Sequence, residues 1–140
     1  MSSPTSPDRV GVVLVSHSGA VAAAVAEFAV ALVGTGDPAP VVPAGGVEGG
    51  GLGTSSELVL AAAKRADQGQ GVVLVADIGS AVLTAKTLLA DADENGLPFP
   101  TRLANAPFLE GAVAATVTAS AGGDLSAVID AAEDAYRVQK

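Results

Sequence analysis

The chain contains one histidine, His17, and it stands in the tripeptide Ser16-His17-Ser18 followed by Gly19. Neutral imidazole is a nucleophile at physiological pH, with a reference pKa of about 6.5. Any imidazole-based nucleophilic or proton-transfer chemistry must therefore come from His17. Asp77, in Ala76-Asp77-Ile78-Gly79-Ser80-Ala81, is the acid best placed to work with it. A carboxylate accepting one ring N–H would fix the tautomer and leave the other nitrogen free to attack. The competing role for Asp77 is to cap the helix that follows, and both roles are compatible. The chain has no Cys, which excludes disulfides, thiolate nucleophiles, Fe–S clusters and zinc fingers. A single His excludes a multi-histidine metal site within the chain.

Several weaker motifs resolve against familiar chemistries. The stretch from Gly45 to Ser55 (GGVEGGGLGTS) has the composition of a phosphate cradle but lacks the G-K-[ST] lysine of a P-loop. Its glycines permit close backbone approach, and Gly53, Thr54 and Ser55 are expected at the site edge. Gly34-Thr35-Gly36-Asp37-Pro38-Ala39 fits a loose dinucleotide pattern, yet it follows a helix and contains proline. Ser16, His17 and Asp77 do not make a hydrolase triad. Adjacent residues on a strand point to opposite faces, and no G-x-S-x-G elbow is present.

These residues need elements to hold them. Residues 10–16 (VGVVLVS) and 72–76 (VVLVA) are continuous apolar runs, expected for strands covered on both faces. Residues 40–43 form a shorter strand, and 101–104 a weaker one. Helices are expected over 18–33, from Thr54 (as N-cap, with Glu57 completing a capping box) to 66, and over 81–90, 110–121 and 124–138. Residues 91–100 read as a polar loop. Alternating strands and helices predict an α/β fold: an open three-layer sandwich, with a mostly parallel sheet of about four strands and helices on both faces. Ligand sites in such sheets lie beyond the carboxyl ends of the strands. The polar chemistry falls there: Ser16–Gly19, Gly45–Ser55, Asp77–Ser80 and the loop from Asn105. A phosphoryl group on His17 would lie by a helix N-terminus, where N–H groups and the dipole favour negative charge.

At 140 residues and 13.5 kDa, 49% hydrophobic, the chain supports one domain and is not disordered. Residues 1–8 read as a flexible extension and 9–140 as the single domain. Its 15 acids and 7 bases give a net charge of −8, which argues against nucleic acid and anionic membranes. No segment has the length of a membrane span or the form of a signal peptide, so a soluble, cytoplasmic protein is expected. The first helix carries only Glu27 and the third only Lys86. Helices so poor in charge need cover on every side, which predicts a homodimer.

Four segments occurring in order, VGVVLVSHS (10–18), PAGG…GLGTS (43–55), ADIGSA (76–81) and NAPFLEGA (105–112), resemble the DhaM family. These are phosphotransferase subunits of phosphoenolpyruvate-dependent dihydroxyacetone kinases, related to the enzyme IIA domains of mannose-type sugar phosphotransferase systems. The resemblance covers about residues 10–120; the last helix and the Ser/Pro extension match no motif. It implies a parallel sheet flanked by helices, a homodimer, and no metal or cofactor. His17 would be phosphorylated by HPr, with Asp77 as its orienting acid. Ser18, Gly19, Gly53, Thr54, Ser55, Gly79 and Ser80 are expected to line the phosphate site. The phosphoryl group would pass to ADP on DhaL, which works with DhaK. Some DhaM proteins carry fused HPr-like and enzyme I-like domains; this sequence shows only the first domain, which implies separate donors. Two alternatives stay open: an enzyme IIA component serving a sugar transporter, and a non-catalytic dimeric regulatory module.

Overall fold

The computed structural model describes residues 7–34 and 36–139. The extension expected over residues 1–8 thus falls, up to residue 6, outside the described residues. β1 (Gly11–Ser16) and β3 (Val72–Ala76) are buried at every position. Such strands survive only at the centre of a sheet covered on both faces. They pair in parallel, with β2 (Val41–Gly45) beyond β1 and β4 (Thr101–Leu103) beyond β3, giving the order β2-β1-β3-β4. The sheet is four-stranded and wholly parallel.

Strand alternation divides the core in two. Val12, Leu14, Val73 and Val75 face α5 (Phe108–Ser120) and α6 (Leu125–Asp134), with α1 (Gly19–Ala31) on the same side. Val13, Val15, Val72 and Leu74 face α2 (Ser56–Ala66) and α3 (Gly79–Ala90). Three layers result, as the alternation of strands and helices predicts.

The differences from expectation are local. β2 runs on through Ala44 and Gly45, because both pair with the end of β1. The polar stretch after α3 contains a short helix, α4 (Ala92–Asn95), stopped by Gly96 at φ 79°. α2 is capped by Ser55, whose hydroxyl accepts from the Leu58 N–H; Thr54 is instead drawn into a bridge with Gly46. α6 stops at Asp134, and a single 3-10 turn, Ala135–Arg137, follows it.

The strand order reverses between β1 and β3. Connections leave β1 toward β2 and return to β3 on its other flank, and the carboxyl ends of such a central pair are where ligand sites lie in parallel sheets. Val15 is opposite Ala76 in that pairing, which sets Ser16 beside Asp77.

Candidate phosphoryl-transfer site

Ser16, the last residue of β1, is fully buried. Its hydroxyl donates to Asp77 Oδ2 at 2.6 Å and accepts from the Ser18 N–H at 3.0 Å. The other carboxylate oxygen of Asp77, Oδ1, accepts from the Ile78 N–H at 2.6 Å. The Asp77 N–H in turn donates to Val15 O at 3.1 Å. Asp77 and Ser16 thus clamp the ends of β1 and β3 together and fix the residues on either side of His17.

His17 turns away from Ser16, as neighbouring residues at a strand end must. Its Nδ1 lies in a hydrogen bond with Ser80 Oγ at 3.0 Å, and Ser80 Oγ lies 3.3 Å from Thr54 Oγ1. The expected Asp77–imidazole hydrogen bond is replaced by this one. The two carboxylate oxygens are taken by Ser16 and Ile78, and the first turn of α3 brings Ser80 to the ring instead. Asp77 does not cap α3 through its side chain either, since the N-cap position is Ile78, with no side-chain hydrogen bond. The first N–H groups of α3 therefore lack a side-chain acceptor beside the imidazole.

The glycine loop approaches as close as its composition suggests. The Gly53 N–H donates to the carbonyl of His17 at 2.8 Å. A Cβ on Gly45 would lie 2.4 Å from Ser18 O, so only glycine lets β2 reach the start of α1. Gly46, at φ 71°, then turns the chain into the loop. Ser18 caps α1 by accepting from the Val21 N–H at 3.3 Å. Gly19 packs on Gly45 O.

Of the residues expected at the site edge, Ser80, Thr54 and Gly53 are brought directly around His17, and Ser18 and Gly19 follow it. Gly79 opens α3 in free space, with nothing near enough to demand glycine. Ser55 is engaged with α2, capping Leu58 and contacting Glu57 Oε2 at 3.4 Å. Two features escape sequence reasoning: the buried hydroxyl of Ser16 as the link from Asp77 to the His17 segment, and Ser80 as the partner of the ring. The D-x-x-S spacing places Ser80 one turn-step into a helix, but not which group it meets.

The chain matches the mannose-type enzyme IIA family model, described as the PTS system fructose IIA component, over residues 11–129. It belongs to this family. Within the family it is a DhaM-type domain. It is 36% identical over 133 residues to the phosphoryl donor subunit DhaM of a PEP-dependent dihydroxyacetone kinase from Pantoea ananatis, spanning 94% of this chain and 28% of that protein. It is 33% identical over 108 residues to the phosphoryl donor subunit DhaM of PEP-dependent dihydroxyacetone kinase 2 from Listeria innocua, spanning 77% of this chain and 84% of that one. The chain thus spans little more than a quarter of several longer DhaM relatives. The crystal structure of EF1359, a protein of unknown function, superposes with a TM-score of 0.77 at 26% identity, over 90% of this chain and 94% of that one.

This DhaM-type domain carries no Lys or Arg between Arg9 and Lys64. β1, α1, β2 and the glycine loop thus surround His17 without a cation of their own. Among the described residues no helix is long and apolar enough to cross a membrane.

Proposed function

We propose that this chain is a phosphoryl relay subunit that carries the phosphoryl group on Nε2 of His17. The observation that carries the reading is the bond from Nδ1 to Ser80. With Nδ1–H donating to the serine hydroxyl, Nε2 holds the lone pair and is the nitrogen free to attack. In the first half-reaction Nε2 attacks the phosphorus of a phosphohistidine donor, forming one P–N bond as the donor's P–N bond breaks. In the second, an oxygen of the acceptor's terminal phosphate attacks, and the bond to Nε2 breaks. The uncapped N–H groups at Gly79 and Ser80, the Gly19 N–H at the start of α1, and the hydroxyls of Ser18 and Thr54 are the donors for the phosphoryl oxygens. Asp77 acts through Ser16, holding the strand end that carries the ring. Gly53 binds the His17 carbonyl, and Ser55 shapes the adjoining loop.

The donor in this reading is HPr. The acceptor is ADP bound on DhaL, which with DhaK phosphorylates dihydroxyacetone, in keeping with the names of the DhaM relatives. The work is cytoplasmic, where phosphoenolpyruvate and ADP are found. We also propose a homodimer, supported by the apolar face of α1 and α5, where Phe28, Leu32, Leu109 and Val117 are 44–50% exposed. A second reading keeps the same relay with a sugar transporter as acceptor, and the family description favours it.

Incubation with phosphoenolpyruvate, enzyme I and HPr, followed by mass spectrometry, tests the relay. One acid-labile phosphoryl group is expected on the wild type and none on His17→Ala. Labelling of His17→Ala, or none of the wild type, ends the proposal. Discharge of the labelled protein by DhaL–ADP, against discharge by membranes containing a sugar transporter, then separates the two acceptors.

A further inference from the structure

A cleft of about 370 Å3 opens at the carboxyl ends of β3 and β4, next to the relay residues but separate from the imidazole. Its polar lining consists of Asp77, Lys86, Asn105 and Tyr136, while Val82 and Leu103 contribute apolar walls. The acids nearby are already engaged. Asp77 accepts from Ser16 and Ile78, and Glu133 Oε2 accepts from the Asn105 N–H at 2.8 Å. The side chains of Lys86, Asn105 and Tyr136 have no hydrogen-bond or ion-pair partner among the described residues. Lys86 and Asn105 are exposed and Tyr136 is 61% exposed, so all three are open to a ligand in the cleft.

We propose that this cleft is a binding site for a small oxyanion on a short carbon frame, an organic phosphate or carboxylate. Lys86 supplies the charge, the Asn105 amide and the Tyr136 hydroxyl supply directed donors, and Val82 and Leu103 accept the carbon frame. The cleft lies at the small end of ligand-pocket sizes, which suits a small ligand. Asp77 forms part of both the cleft wall and the clamp on Ser16, so the ligand sits one residue's width from the relay. This site is independent of which protein accepts the phosphoryl group.

The test is an amide NMR titration of the full chain with glycerol 3-phosphate and, in parallel, with pyruvate. Saturable shifts are expected at Lys86, Asn105, Ala106 and Tyr136 for at least one probe; which probe saturates identifies the anion as phosphate or carboxylate. Lys86→Gln should weaken that binding about tenfold, as loss of one charge-assisted contact implies. Tyr136→Phe should weaken it less. Labelling of His17 in Lys86→Gln should match the wild type, which shows that the variant folds and keeps anion binding distinct from the relay. The proposal is overturned by three results: no saturable shift with either probe, equal affinity in Lys86→Gln, or shifts confined to Gly19, Gly79 and Ser80 around the imidazole.

Discussion

Gly11 and Gly45 lie at opposite ends of the paired strands β1 and β2, and a Cβ on either would strike a carbonyl oxygen. The distances are 2.3 Å to Ala66 O from Gly11 and 2.4 Å to Ser18 O from Gly45. The crowding is alike; what surrounds it is not. At the amino end, polar side chains are spent on backbone. Arg9 Nε donates to Ser120 O at 3.0 Å, the Arg9 N–H donates to Gln68 Oε1 at 2.7 Å, and Ser120 Oγ accepts from the Ala39 N–H at 2.8 Å. At the carboxyl end, side chains meet one another: Ser16 with Asp77, His17 with Ser80, Ser80 with Thr54. One end closes the fold. The other holds an array of hydroxyls, a carboxylate and an imidazole at a crevice, where incoming groups can replace one partner with another.

The comparison breaks most easily at the two glycines. Gly11→Ala and Gly45→Ala should each lower stability by about 3 kcal/mol, the upper range for overpacking a rigid backbone contact. Urea denaturation reads this. Their folded fractions should then differ: Gly11→Ala should accept phosphoryl at the wild-type rate, and Gly45→Ala, which displaces Ser18, should not. Equal labelling of the two would erase the distinction between the ends.

A smaller effect is expected at Ser16. Ser16→Ala leaves the Ser18 N–H and one Asp77 oxygen without their partner, at a cost of about 1–3 kcal/mol. It should also slow phosphoryl acceptance, because the His17 segment loses its clamp. A loss of stability with unchanged labelling would reduce Ser16 to a structural hydroxyl. The smallest effect belongs to the amino end. Arg9→Met keeps the aliphatic stem and removes the bonds to Ser120 O and Pro7 O, and should cost about 1 kcal/mol with labelling unaffected.

Much of this contrast is legible in the sequence. The runs VGVVLVS and VVLVA read as buried parallel strands because both faces need apolar residues, and the reading holds at β1 and β3. That in turn places His17 and Asp77 on one edge. Hydrogen-bond partners are harder to read. Asp77 and Ser80 are three residues apart, and either is close enough in sequence to serve the imidazole. The choice depends on how the first turn of α3 meets the end of β1, which is set by packing in the α3 layer and not by local residue types. The same limit separates Thr54 from Ser55. Both are good N-caps, and the bridge from Thr54 to Gly46 decides between them. α4 was hidden because a four-residue helix has too few positions for a periodic pattern.

The central claim is that Ser80 holds Nδ1 so that Nε2 carries the phosphoryl group. Long-range proton–nitrogen NMR of the phosphorylated protein, labelled with 15N in the His17 ring, tests it directly. The account predicts phosphorus–nitrogen coupling at Nε2, with Nδ1 still protonated. Coupling at Nδ1 would contradict it, because the Ser80 hydrogen bond would then have to break for the relay to be charged.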